Sequence, residues 1–183
     1  GTASLIENRG IEDTKIIFDF GSDGSGFGNI IINSGGSRNP ITSKSLIDKN
    51  TEPGIQRNDS HILMKGLEVM NFAIDRVPKS IENCISKTDK SLVEKYYLHQ
   101  ANKFMINYIG KKSKIEKDKL PFNSTEIGNT GPASIPTAIA HDILINGNPG
   151  VSILSGFGVG LSWATCLMNL KTLEEIKIIS YEN

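Results

Sequence analysis

The chain has 183 residues with 20 Lys and Arg against 20 Asp and Glu, a formal net charge of zero, which excludes the basic balance of a nucleic-acid binder. Apolar residues make up 38% and charged residues 22%, a composition that excludes disorder and is expected to form one domain over 1–183. Two cysteines, Cys84 and Cys166, are too few for a disulfide-stapled scaffold, and Gly1-Thr2-Ala3-Ser4-Leu5 opens no signal-like segment, so a reducing cytoplasm is the expected location.

In chain order, Lys15 to Phe20 is rich in strand formers and stops at Gly21-Ser22-Asp23-Gly24, which predicts a first strand over Thr14–Phe20 with Ala3–Ile6 as a short partner. Residues 21–58 hold Gly35-Gly36-Ser37 and two prolines and are expected to be a long surface excursion. Asp59 and Ser60 are good N-caps ahead of Leu63, Leu67, Met70 and Ile74, whose spacing predicts a helix. Pro78 is expected to end it and to open a second short helix through Ile81 and Ile85. Val93–Leu98 reads as the second strand. Ala101, Phe104, Met105, Tyr108 and Ile109 then place one apolar face on a helix, with Lys111 and Lys112 at its C-terminal dipole.

Pro121–Glu126 is expected as a third strand. A helix carries Ile135, Ala138, Ile139 and Ile143 to a stop at Gly147, and Val151–Leu154 and Leu161–Leu170 complete five strands. The uncharged run from Ile143 to Leu170 is long enough for a membrane span. It is broken at Asn146-Gly147-Asn148-Pro149-Gly150 and again at Gly156-Phe157-Gly158-Val159-Gly160, so two buried strands are expected and no membrane partner. The order βαβαβαββ argues for a layered α/β fold with a mixed five-stranded sheet, whose ligands gather beyond the carboxyl ends of strands.

Three features fall at such ends: His99 in Leu98-His99-Gln100-Ala101-Asn102, Asn129 in Gly128-Asn129-Thr130-Gly131, and the glycine run from Gly156 to Gly160. Singly, each has an ordinary structural reading: a satisfied histidine, a turn residue, a hairpin connection. Together, an imidazole, a carboxamide donor and approachable backbone amides are what an enolate or oxyanion requires. Neither Cys84 nor Cys166 lies at a strand-end turn, so both read as packing residues rather than nucleophiles. His61, His99 and His141 lack metal-ligand spacing, and the dinucleotide, phosphate-loop and serine-elbow signatures are all missing, so no metal and no cofactor are expected.

These motifs resemble the 3-oxoacyl-acyl-carrier-protein synthase III group of the thiolase-like condensing enzymes, over essentially the whole chain. Leu98 to Asn102 resembles its His-Gln-Ala-Asn box, Gly128-Asn129-Thr130 its Gly-Asn-Thr box, and Gly156 to Trp163 its glycine-rich closing motif. Asp23 to Gly28, Gly35 to Pro40 and Met64-Lys65-Gly66 fall in the expected order between.

The resemblance implies a thiolase-like half and a decarboxylative Claisen condensation, with a coenzyme A thioester and acyl carrier protein as substrates. It implies His99 and Asn129 as the pair that stabilises the enolate, and Phe157, Gly158 and Val159 as the oxyanion-side segment. Lys103, Lys111 and Lys112 would dock the acidic carrier protein. The chain looks like the C-terminal half of such an enzyme, with residues 1–8 a tail of the preceding half and the cysteine nucleophile in that N-terminal half. Homo-oligomerisation is expected. Phe104 stands where the family has an arginine and Val159 where it has a glycine, which keeps open an alternative: a non-catalytic partner or carrier-binding subunit.

Overall fold

The computed structural model describes residues 1–7 and 15–179. The expected strand start at Thr14 and the tail's end at Asn8 lie outside them. The strands are β1 (Ile17–Ser22), β2 (Ile30–Ile32), β3 (Lys49–Glu52), β4 (Ile55–Arg57), β5 (Ile62–Met64), β6 (Lys95–Leu98), β7 (Val151–Gly158) and β8 (Ser162–Asn169). The helices are α1 (Gly66–Ile85), α2 (Lys103–Lys112), α3 (Ser124–Ile127) and α4 (Ser134–Asn146). Two compact units form, one from 1–21, 73–157 and 163–183, the other from 22–72 and 158–162.

The first unit is built on a sheet in the order β1-β8-β7-β6. β6 and β7 are parallel, with Leu98 beside Ser155, and the crossover between them holds α2, α3 and α4. β7 returns into β8 through a three-residue connection, so this pair runs antiparallel and the sheet is mixed.

α1 covers one face. Ser80 Oγ lies 2.6 Å from Asp19 Oδ2 and 2.8 Å from Thr165 Oγ1, which is 2.7 Å from Ser155 Oγ. α4 covers the other face, where Tyr97, Ala138 and Leu170 pack with Ile135, Ile139, Leu154 and Met168. Thr165 and Met168 lie at odd spacing on β8 and so belong to opposite faces. Below the α4 face, Tyr97 donates to Asp142 Oδ2 at 2.7 Å, Asn146 donates to Asp142 Oδ1 at 2.7 Å, and Lys95 Nζ lies 3.6 Å from that carboxylate.

The mixed α/β architecture agrees with the sequence, but four details differ. First, the described sheet has four strands, and Pro121–Glu126 is not among them. Proline cannot donate to a ladder. In place of a strand, the buried amide of Gln100 donates to the Pro121 carbonyl at 3.4 Å and accepts from Asn123 N at 3.2 Å. Ser124 then begins the single turn α3.

Secondly, Ala3–Ile6 forms no strand, and Leu5 and Ile6 are almost fully exposed. Thirdly, α1 begins only at Gly66, since Ile62–Met64 is spent on β5, and it continues through Pro78. Pro78 leaves the carbonyl of Ile74 without its helical donor. Lys112 Nζ fills the gap at 2.7 Å, which keeps the helix whole. Fourthly, α2 buries Met105, Ile106, Ile109 and Gly110, a face rotated from the expected one. Phe104 and Tyr108 lie outside, 65% and 45% exposed, their ring centroids 6.3 Å apart.

In the second unit, Asp23 caps a 3-10 turn over Gly24–Asn29 by accepting from Ser25 N at 3.1 Å. β2 pairs antiparallel with β5, Ile31 opposite Leu63. β3 and β4 pair antiparallel, with a bulge between Asn50 and Glu52. Residues 21–58 thus hold a 3-10 turn and three short strands. Among the described residues, no helix is long and apolar enough to cross a membrane.

Candidate active site

His99 follows the last residue of β6 and extends its ladder, donating its backbone N–H to Ser155 O at 2.9 Å. Its ring is half-buried. Nδ1 lies 2.7 Å from Ser134 Oγ, at the first residue of α4, and the ring of Phe157 on β7 stands edge-on at 5.3 Å between centroids. His99 and Phe157 are therefore brought together. Immediately after His99, Asn102 caps α2 by accepting from Met105 N at 2.8 Å, so the strand end, the imidazole and the helix start share one short segment.

Burial holds the His99 imidazole below its ordinary value of 6.5, because imidazolium is the form that loses hydration. It is neutral at pH 7. The folded state binds this proton more weakly than the unfolded chain. The associated stability is therefore complete above 6.5 and is lost as pH falls from there through the folded value. An NMR titration should place the His99 midpoint below 6.5, and a midpoint above that value would contradict the assignment.

Asn129 lies on the loop between α3 and the 3-10 turn Gly131–Ala133. Gly128 and Gly131 flank it at φ 71° and 60°, left-handed conformations that side chains disfavour. The loop thereby turns tightly enough for Asn129 Oδ1 to accept from Gly131 N at 3.0 Å. With the oxygen so engaged, the amide NH₂ is the outward, donating end of an exposed side chain. His99 and Asn129 belong to the same unit, and Asn129 is carried on the loop that leads into Ser134.

The other expected residues are more scattered. Phe157 and Gly158 end β7, and Val159 is 64% exposed in the turn after it. Lys103 opens α2 with Nζ 6.0 Å from the Phe122 ring centroid. Lys111 is exposed in the last turn of α2, whereas Lys112 is engaged by the Ile74 carbonyl. Sequence reasoning missed Gln100, which replaces a strand, and Ser134, which holds the imidazole. Neither carries a signal in composition or spacing, because each acts through tertiary hydrogen bonds.

Burial pushes the Cys84 thiol up to about 11 and that of Cys166 upward as well. A thiol raised in this way is almost wholly protonated at neutral pH and a poor nucleophile. Incubation with acetyl-CoA should leave the intact mass of the chain unchanged, and a stoichiometric thioester on either cysteine would contradict this. Among the described residues, no cluster of three or more His, Cys, Asp or Glu could hold a metal ion.

The mixed sheet thus has helices on both faces, a histidine at one strand's carboxyl end and an asparagine on the loop entering the next long helix. Residues 86–170 match the family described as 3-oxoacyl-[acyl-carrier-protein (ACP)] synthase III C terminal. Residues 86–170 thus carry the likeness to the C-terminal domain of the 3-oxoacyl-[acyl-carrier-protein] synthase III family. It is 30% identical over 173 residues to the beta-ketoacyl-[acyl-carrier-protein] synthase III of Lactococcus lactis subsp. cremoris strain MG1363, covering 91% of this chain and 50% of that one. It is 30% identical over 183 residues to a putative 3-oxoacyl-[acyl-carrier-protein] synthase 3 of Campylobacter jejuni, covering 98% and 51%.

Among solved structures, a 2.1 Å crystal structure of a 3-oxoacyl-(acyl-carrier-protein) synthase III superposes with a TM-score of 0.80 at 33% identity, covering 91% of this chain and 50% of that chain. The enzyme from Burkholderia xenovorans LB400 gives a TM-score of 0.71 at 32% identity, covering 85% and 44%. The chain spans about half the length of the relatives it matches.

Proposed function

We propose that this chain is the decarboxylating half of a condensing enzyme that joins an acyl group from coenzyme A to malonyl on acyl carrier protein. The observation that carries the reading is the engagement of both polar side chains at one end only. His99 Nδ1 is taken by Ser134 and Asn129 Oδ1 by Gly131, which leaves Nε2 and the amide NH₂ for a substrate. Two donors on one thioester carbonyl stabilise the enolate formed as the malonyl carboxylate departs as CO₂. The electron pair of the broken C–C bond then forms the new bond to the acyl carbon, and the nucleophilic thiolate leaves.

That thiolate belongs, in this reading, to an N-terminal half of the same enzyme. Lys103 and Lys111 give α2 a basic approach for an acidic carrier. An enzyme joining this chain to a nucleophile-bearing half should make 3-oxoacyl carrier protein from acetyl-CoA and malonyl carrier protein. Acyl loading without product would favour the non-catalytic, carrier-binding alternative, which the exposed Phe104 in the family's arginine position supports.

In this reading, the face that would meet such a half includes β1 and the residue before it. Ile16, Phe18 and Phe20 are 45%, 58% and 78% exposed. Asp19 faces α1 through Ser80, so the two phenylalanines lie on the α4 side. On α4 itself Leu144 and Ile145 are 57% and 74% exposed. Buried apolar surface contributes about 25 cal/mol per Å², and wet apolar patches mark interaction sites. The chain on its own should therefore self-associate, a second copy covering this face. Light scattering at micromolar concentration should report a dimer, and a monomer would contradict it.

A further inference from the structure

We propose that Ser134 is a positioning residue whose hydroxyl donates to Nδ1 of His99 and so keeps the single proton of the imidazole on Nε2, where it is available to a substrate carbonyl. The inference rests on the reading of His99 as an enolate-stabilising donor, and adds to it the residue that selects the tautomer.

Ser134 is 1% exposed, and a buried hydroxyl without an acceptor carries a desolvation cost that folded chains avoid. Among the described residues, its oxygen has two neighbours: His99 Nδ1 at 2.7 Å and Gln100 N at 3.4 Å. The backbone N–H of Gln100 is a donor and accepts nothing, so the hydroxyl proton has one destination, Nδ1.

A nitrogen that accepts a hydrogen bond carries no proton in the neutral ring, and the proton then resides on Nε2. The opposite polarity, Nδ1–H donating to Ser134, would leave the serine proton unsatisfied in the interior. It would also present a lone pair rather than a donor at Nε2. The 2.7 Å separation ties the ring to the first residue of α4. The edge-on phenyl of Phe157 limits the ring from the other side. A residue that orients the far nitrogen of a working histidine is a recurrent device.

The test is a long-range ¹H–¹⁵N spectrum of the labelled chain at neutral pH, with the His99 signals assigned by their loss in His99→Gln. The expected result is an unprotonated Nδ1 and a protonated Nε2. In Ser134→Ala the ring should shift towards a mixture of the two tautomers, and Ser134→Thr, which keeps the hydroxyl, should restore the wild-type pattern. In an enzyme that also carries the nucleophile-bearing half, Ser134→Ala should lower kcat for malonyl decarboxylation by about 10- to 100-fold with KM little changed.

A wild-type spectrum showing Nδ1–H would overturn the proposal, as would a tautomer unchanged in Ser134→Ala. If the alanine variant fails to fold, the wild-type spectrum alone decides. The two readings separate cleanly: an Nε2–H ring in a protein whose decarboxylation ignores His99 would remove the proposed function and leave the tautomer assignment standing.

Discussion

Replacing His99 by alanine in a condensing enzyme built on this chain should lower the condensation rate by about 10²- to 10³-fold, and replacing Asn129 should do the same. On the proposed function, each substitution removes one donor aimed at charge that develops only as CO₂ leaves, so the loss is expected in kcat rather than in KM. The double variant should fall by less than the product of the single effects, because two donors on one oxygen act as a unit. His99→Gln keeps a donor but loses the Ser134-held ring, and should recover only part of the rate. Steady-state kinetics on the four proteins check the pattern. Independent, multiplicative losses would argue that the two side chains serve different atoms.

The largest stability effect should come from Tyr97. Its ring is fully buried between the sheet and α4, and its hydroxyl donates to Asp142, a carboxylate only 8% exposed. Burial and the Asp142 carboxylate push the phenol far above its ordinary value, so it remains a donor at any pH the protein survives. Tyr97→Ala should cost about 3–5 kcal/mol, the range for removing a large buried aromatic side chain. Tyr97→Phe should cost about 1–3 kcal/mol, since it empties no space and leaves one buried acceptor short of a partner. Lys95 and Asn146 still hold that carboxylate, which keeps the second figure below the first. Denaturant midpoints at constant slope measure both, and equal losses would mean that the hydroxyl rather than the ring carries the effect.

The parts of this fold that sequence periodicity reveals are those governed by local rules. The strand before His99, the α4 helix with its stop at Gly147, and the β7–β8 hairpin all follow from apolar period and turn residues. What escaped depends on partners far along the chain. Pro78 reads as a helix boundary, and α1 runs through it because Lys112 supplies the donor that proline lacks. Pro121–Glu126 reads as a strand, and its first residues are instead tied to the Gln100 side chain through the Pro121 carbonyl and the Asn123 N–H. The α2 face was misread because Phe104 and Tyr108, apolar by composition, pack on each other at the surface.

At the site, His99 stands at a strand end as its sequence position suggests, whereas Asn129 follows the single turn α3 in place of the expected strand and Phe157 lies within β7. The structure adds how the first two are held. Ser134 was invisible because nothing in Ala133-Ser134-Ile135-Pro136 distinguishes a serine that caps, packs or tunes an imidazole. Lys112 shows the converse: its charge suggested a docking surface, and part of its role is to complete a helix.

The central claim, that this chain supplies the groups for decarboxylation and not those for acyl transfer, is tested most directly by separating the two half-reactions. The enzyme formed with a nucleophile-bearing half is loaded from acetyl-CoA and followed by intact mass, and CO₂ release from malonyl carrier protein is then measured on the loaded protein. The His99→Ala, Asn129→Ala double variant is predicted to load as the wild type does and to release CO₂ at a small fraction of its rate. Unchanged CO₂ release, or loading and release lost together, would contradict the account.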